Sequence, residues 1–358
     1  RRSGPMIRVG LLPGDGIGPE VVAEARRVLE AVAAKGLAEI SFREFPHGAD
    51  HYLDTGETLG EATFAALRDE TDAILLGAVG DPRVADNRHA HDILLGLRFR
   101  LDLYVNFRPA RLRDPRLSPL RRAAEVPIDF VIFRENTEGL YAGAGGGLRR
   151  GTPEEIAVSE NLATRHGVER IVRAAFEYAE GTGRDRVTLA DKANAVPHVY
   201  GLWRRVFREV ADEYPSIESE ERYVDALAME LVRRPERFSV IVTDNLFGDI
   251  LSDLAAELIG GVGLAPSANY RPGGPGVYEP VHGSAPGIAG KEEANPLAAI
   301  LSAGLLLEHA GAEAGARAVD DAVTAAVEAG MTTPDLGGDR TTGEVGAWVA
   351  DRIGRAEI

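Results

Sequence analysis

The chain has 358 residues, 44% of them hydrophobic, which is enough to bury a large core and suggests two domains or one large one. A formal charge of −16 argues against nucleic acid or an anionic membrane as partner, and the absence of cysteine excludes a disulfide framework, thiolate catalysis and a cysteine zinc site. No apolar run approaches the roughly 18 residues of a membrane span, and the leading RRSGP lacks the apolar centre of a signal peptide. A cytoplasmic protein is therefore expected, with residues 1–5 a non-native remnant before Met6.

Ile7 to Leu12 reads as a strand, followed by PGDGIGPE and a helical run from Val21 to Lys35 with apolar residues at Val21, Val22, Ala25, Val28, Leu29 and Val32. Gly14, Gly16 and Gly18 invite a dinucleotide-binding reading, but Pro19 stands where the third glycine of a Rossmann fingerprint belongs, so that reading fails on spacing. Residues 71–80, TDAILLGAVG, form a second buried strand ending in small residues where a backbone can approach a ligand. A loop is expected from Asp81 to His91. His89 and His91 would face one direction in an extended segment, and loop histidines are more often solvated than functional.

The next stretch, DILLGLRFRLDLYVNFRPARL, is basic in an otherwise acidic chain. On a helix, Leu94 and Leu95 offer an apolar surface beside Arg98. Residues 143–159 are glycine-rich and then extended, as a protruding arm would be. A helical pattern runs from Gly167 to Glu180, and VTLADKAN is a strand that delivers Lys192 and Asn194 at its end. YVDALAM then presents Asp225. Ser239–Ala256 passes from a β-branched strand through Thr243, Asp244 and Asn245, which suit a turn or cap, into a helix with Asp249 and Asp253 four apart. That spacing stacks two carboxylates on one face, where hard oxygens can converge on magnesium or manganese. The glycines and prolines after it give a long ordered loop through GVYEPVHGSAPGIAGKEEANP.

LLPGDGIGPE, FRENTEGLYAG, NLFGDILSDLAA and the HGSAP loop together resemble the β-decarboxylating dehydrogenases, the family of isopropylmalate, isocitrate, homoisocitrate and tartrate/D-malate dehydrogenases. The resemblance covers the chain from Met6. It implies an α/β, non-Rossmann fold of two domains: a discontinuous cofactor-binding domain, 6–103 plus 260–358, and a dimerisation and metal/substrate domain, 104–259, with its arm near 143–160. It implies a site in the cleft between them. By the same resemblance Arg98, Arg108 and Arg134 hold the carboxylates of a small anionic substrate, a task suited to the bidentate, permanently charged guanidinium. Asp249 and Asp253 bind Mg2+ or Mn2+ with Asp225 of a second subunit, so an obligate homodimer with shared sites is expected. Lys192 takes the hydroxyl proton while hydride passes to NAD, and Tyr141 protonates the enol left after decarboxylation. Glu279, His282, Gly283, Ser284, Ala285, Ile288 and Asn295 match the NAD-binding loop.

Two features depart from the simplest version of that pattern. Gly287 stands where NAD-dependent members usually have an aspartate for the ribose hydroxyls, although the Ile288 that follows is typical of them. The Leu94–Leu95 pair resembles isopropylmalate dehydrogenases, whereas RENTEGLYAG is closer to the isocitrate, homoisocitrate and tartrate pattern. 3-Isopropylmalate is the expected substrate, with D-malate or tartrate, homoisocitrate and a modified malate as alternatives. A non-catalytic subunit of this fold would lose a metal acid, the tyrosine or the lysine, and all are retained.

Overall fold

The computed structural model describes residues 6–356; the expected remnant at 1–5 lies outside the described residues. The chain divides into two compact units. The first comprises the residues up to Leu103, Leu112–Ala123 and the residues from Ala256 on; the second comprises Tyr104–Arg111 and Ala124–Ala255. Leu112–Ala123 thus differs from the expected 104–259 boundary. Its anchor is Arg113, which donates to Asp320 Oδ1 at 2.5 Å and to the Asp320 carbonyl at 3.2 Å within the first unit.

The first unit opens with β1 (Ile7–Gly14), α1 (Gly18–Ala34), β2 (Ile40–Glu44), α2 (Ala49–Thr55), α3 (Glu61–Asp69), β3 (Ala73–Ala78) and α4 (Arg88–Arg100). Pro19, the residue that spoils the dinucleotide fingerprint, sits in the first turn of α1, where its missing N–H costs nothing. The predicted apolar stripe of α1 is at most 2% exposed throughout. Each Val and Leu of the stripe contributes about 1.5–3 kcal/mol of burial, which makes this stripe the main reason the segment is a helix here.

The second unit contains β4 (Val105–Arg111), β5 (Asp129–Glu135), β6 (Gly145–Leu148), β7 (Ile156–Ser159), α5 (Arg165–Thr182), β8 (Arg186–Asp191), α6 (Pro197–Ala211), β9 (Glu218–Tyr223), α7 (Val224–Arg233), β10 (Val240–Thr243) and most of α8 (Asn245–Leu258). Its five main strands run in the order β4-β5-β10-β8-β9, parallel except for β4 against β5. Val240, Ile241 and Val242 are fully buried between β5 and β8, as a β-branched run in a central parallel strand should be. β6 and β7 form a separate antiparallel hairpin with every residue exposed.

Returning to the first unit, β11 (Pro266–Tyr270) and β12 (Gly276–Pro280) precede α9 (Leu297–His309), α10 (Glu313–Glu328) and α11 (Thr342–Arg355). The strands of this unit run β2-β1-β3-β12-β11, with only β11 antiparallel. α9 is apolar nearly all round and buried against α1, α10 and β12, the pattern of a helix at the centre of a core. Among the described residues no helix is long and apolar enough to cross a membrane.

Candidate functional site

The strand-to-helix step from β10 to α8 is held by Asp244, whose Oδ1 accepts from Phe247 N at 2.9 Å. This is an N-cap, as the turn residues suggested. Tyr200 donates its hydroxyl to Asp244 Oδ2 at 2.7 Å and stacks on Phe247 at 5.4 Å. Burial pushes the Asp244 carboxyl up despite these partners. Beyond the cap, Asp249 and Asp253 share one helix face, because Nη1 of Arg108 lies 3.7 Å from the first and 3.5 Å from the second. Arg108 also donates to Ser252 Oγ at 2.7 Å.

Arg134, delivered from the end of β5 and only 1% exposed, pairs with Asp249 through Nη1 and donates from Nε to Asn245 Oδ1 at 2.9 Å. Tyr141 donates to Asp249 Oδ2 at 2.9 Å, with the Arg134 guanidinium 5.4 Å from its ring centre. Burial first, then the Asp249 hydrogen bond, pushes the Tyr141 hydroxyl up, so it stays a proton donor at neutral pH. The predicted Arg108, Arg134, Tyr141, Asp249 and Asp253 are therefore brought together. The sequence pointed to no role for Gly248 and to Asn245 only as a turn or cap residue. Gly248 lies where a Cβ would meet the Arg134 Cβ at 2.5 Å, so it admits the arginine against the helix, and Asn245 orients the guanidinium. A glycine inside an otherwise helical run was the available signal.

Lys192, just past β8, and Asp225, in the first turn of α7, pair with each other at 2.7 Å. The Lys192 hydrogen bond holds the Asp225 carboxyl below its ordinary range. Among the described residues no group of three His, Asp or Glu side chains assembles to hold a metal within one chain, so Asp225, Asp249 and Asp253 are not one intrachain triad. The half-exposed Asp249 and exposed Asp253 do fit a hard divalent cation that takes further oxygens from another source.

In the first unit, Glu279 on β12 accepts from Arg98 Nη2 at 3.3 Å and from Asn269 Nδ2 at 2.8 Å. Arg98 and the half-buried Leu94 line a shallow concavity with Glu279 and Asn269, over Leu76, Leu97 and Val277, which are buried in the core. Leu95 is half-buried and lies outside that lining. The HGSAP loop is braced by the amino-terminal turn: Ile17 N donates to Ser284 O at 2.9 Å, and Gly16 has φ +57° with room for no Cβ, which would fall 1.9 Å from that oxygen. His282 donates from Nδ1 to the Gly283 carbonyl at 3.0 Å, and its Nε2 is buried with no hydrogen-bond partner among the described residues. Burial pushes the His282 imidazole down, toward the neutral form. Such an orphaned ring nitrogen beside the exposed Gly283 and Ala285 fits a nucleotide cofactor. Ile288 closes a turn by donating from its N–H to Ala285 O at 3.1 Å. Asn295 is committed internally, donating to Asp335 at 2.9 Å and accepting from Leu297 N at 3.0 Å.

The expected loop through His91 is corrected by the structure: α4 begins at Arg88. Residues two apart on a helix point to nearly opposite sides, so His89 and His91 do not share a direction. His89 is fully buried, with Nε2 2.7 Å from Asp15 Oδ2, while His91 is exposed beside Asp92.

The model of the family described as isocitrate/isopropylmalate dehydrogenase matches residues 8–349. A 3-isopropylmalate dehydrogenase of Thermobifida fusca is 47% identical over 97% of this chain and 98% of that protein. One of Clavibacter michiganensis is 51% identical over 95% and 96% respectively. Among solved structures, isocitrate dehydrogenase from Methylococcus capsulatus superposes with a TM-score of 0.88 at 38% identity, covering 98% of this chain and 100% of that one. A beta-decarboxylating dehydrogenase from Thermococcus kodakarensis, in its apo form, gives 0.80 at 39% identity over 97% and 96%.

Proposed function

This chain belongs to the isocitrate/isopropylmalate dehydrogenase family, and from that premise we propose that it catalyses the NAD-dependent oxidative decarboxylation of 3-isopropylmalate with a magnesium or manganese ion. The observation that carries the substrate choice is the half-buried Leu94, which packs on the buried Leu76, Leu97 and Val277 and lines one concavity with Arg98, so that an apolar side chain stands next to a group suited to a carboxylate. The relatives named as 3-isopropylmalate dehydrogenases support the same choice.

In this reading Arg98, Arg108 and Arg134 hold the malate carboxylates, and positioning of that kind is worth several kcal/mol of barrier. Lys192 removes the hydroxyl proton as carbon 2 is oxidised, and Tyr141, kept protonated by its surroundings, returns a proton to carbon 3 after carbon dioxide leaves. When bound, NAD supplies the hydride acceptor and the divalent cation stabilises negative charge on the substrate oxygen. Asp249, Asp253 and Asp225 of the partner subunit would hold the cation; Glu279, His282, Gly283, Ser284, Ala285, Ile288 and Asn295 would form or support the cofactor loop. The protein would act in the cytoplasm as a homodimer, a state supported by the exposed apolar side chains Leu148, Ile156 and Val158 on the β6–β7 hairpin and Met229 and Val232 on α7.

A turnover panel of 3-isopropylmalate, D-malate, tartrate, isocitrate and homoisocitrate with NAD and magnesium tests the proposal, run on the wild type and Leu94→Ser. Burying three extra carbons is worth about 2 kcal/mol, so 3-isopropylmalate should exceed D-malate by about thirtyfold in kcat/KM, and the serine variant should lose that preference selectively. Preference of the wild type for D-malate or a tricarboxylate would end the isopropylmalate reading and leave the reaction class standing. Full activity in EDTA would remove the metal.

A further inference from the structure

We infer that His89 is a positioning residue that couples the substrate-side helix α4 to the cofactor loop, so that occupancy of one subsite is felt at the other. The inference rests on the function proposed above. Asp15 is 6% exposed and gathers donors from three segments: Ala49 N at 2.6 Å on Oδ1, and Gly80 N at 2.8 Å and His89 Nε2 at 2.7 Å on Oδ2. A carboxylate offers only acceptors, so His89 Nε2 is the donor in this pair. The next residues after Asp15, Gly16 and Ile17, are those seated on the Ser284 carbonyl. One short run of chain therefore touches α4 through a side chain and the cofactor loop through its backbone.

The entry to α4 has an uncommon backbone. Asp86 and Asn87 lie consecutively in the left-handed region, with φ of 56° and 51°, a region sparsely populated by non-glycine residues and reached most readily by Asp and Asn. Asn87 Oδ1 accepts from Asp81 N at 3.1 Å, and two residues on, His89 pins the first helical turn. From that pin α4 runs unbroken to Leu94 and Arg98. The tie to Asp15 and the substrate-side residues therefore lie on one continuous helix. An ordinary core histidine would be satisfied by nearby backbone. This one spends its donor on a carboxylate 74 residues away in sequence, and its Nδ1 is buried with no hydrogen-bond partner among the described residues.

The test is titration of NADH, followed by its fluorescence, into wild type, His89→Leu and His89→Gln with magnesium, each with and without saturating 3-isopropylmalate; with reduced cofactor no turnover occurs. In the wild type 3-isopropylmalate should shift the NADH Kd. In His89→Leu the Kd without substrate should rise at least fivefold and the shift should shrink toward none, while His89→Gln, which keeps an N–H donor, should retain most of it. A purely structural histidine predicts a lower Tm with the substrate-induced shift intact, and that result overturns the inference. Should His89→Leu not fold, His89→Asn, smaller and with its donor out of reach, carries the same expectation. A wild type that turns over D-malate and not 3-isopropylmalate ends the substrate reading alone, and the titration is then made with D-malate. A wild type that takes up no NADH overturns both.

Discussion

A single missing carboxylate marks the cofactor loop. A Cβ at Gly287 would meet nothing within 4 Å and the residue has no left-handed φ, so no steric reason demands glycine there. Lys291 Nζ donates to the Gly287 carbonyl at 2.7 Å, so the charged group beside this position is a cation. Gly287→Asp should therefore fold normally, and should lower the KM for NAD by about tenfold or more, since a hydrogen bond to a charged acceptor is worth about 1.5–3 kcal/mol. Its KM for NADP should not improve. Unchanged constants for both cofactors would show that another group recognises the ribose. At the same scale, Gly248 shows how a residue without a side chain serves a site: it makes room for Arg134, which is only 1% exposed.

The element that organises the second unit's cluster is α8, and its start depends on two buried groups. Tyr200 is 2% exposed, and burial together with the Asp244 carboxylate pushes its hydroxyl well above the ordinary value of 10.0. The native state thus keeps a proton that the unfolded chain releases above pH 10. The stability this contributes is complete below pH 10 and is lost as pH rises beyond it. Urea midpoints should be nearly flat from pH 8 to 10 and fall steeply above. Tyr200→Phe should lose about 1–3 kcal/mol at pH 8, because Asp244 is left short of a donor, and should show a shallower alkaline fall. An alkaline slope equal to the wild type's would mean that Tyr200 is not one of the groups that sets it. In the arm, every residue of β6 and β7 is exposed, Leu148, Ile156 and Val158 included, so this two-stranded hairpin has no core of its own and would gain stability from another surface.

At the scale of the whole molecule, the proposed base and the proposed acid lie in different clusters: Lys192 with Asp225, and Tyr141 with Asp249. The homodimer proposed above would complete each site across subunits. Mixing inactive Lys192→Ala with inactive Tyr141→Phe subunits should then restore about a quarter of the wild-type activity per subunit after random exchange, because half of the dimers are hybrids and each hybrid has one intact site. No recovery after exchange verified by native mass spectrometry would place all groups on one chain.

What the sequence determined by itself is local. The α/β class, the failed dinucleotide spacing, the apolar stripe of α1, the buried run of β10, the Asp244 cap and the pairing of Asp249 with Asp253 on one face all follow from residues within a few positions of one another, where periodicity and capping chemistry act. The strings that carry the family resemblance are legible for the same reason. Tertiary structure decided which distant groups share a hydrogen bond. Arg134 finds Asp249 across 115 positions, Leu112–Ala123 leaves the second unit because Arg113 reaches Asp320, and His89 turns inward to Asp15 because α4 begins three residues before the expected loop ends. Each of those outcomes depends on which buried polar group lies nearest once the sheets have formed. Side-chain periodicity holds no information about that, since a buried donor takes its partner from space rather than from its neighbours in the chain.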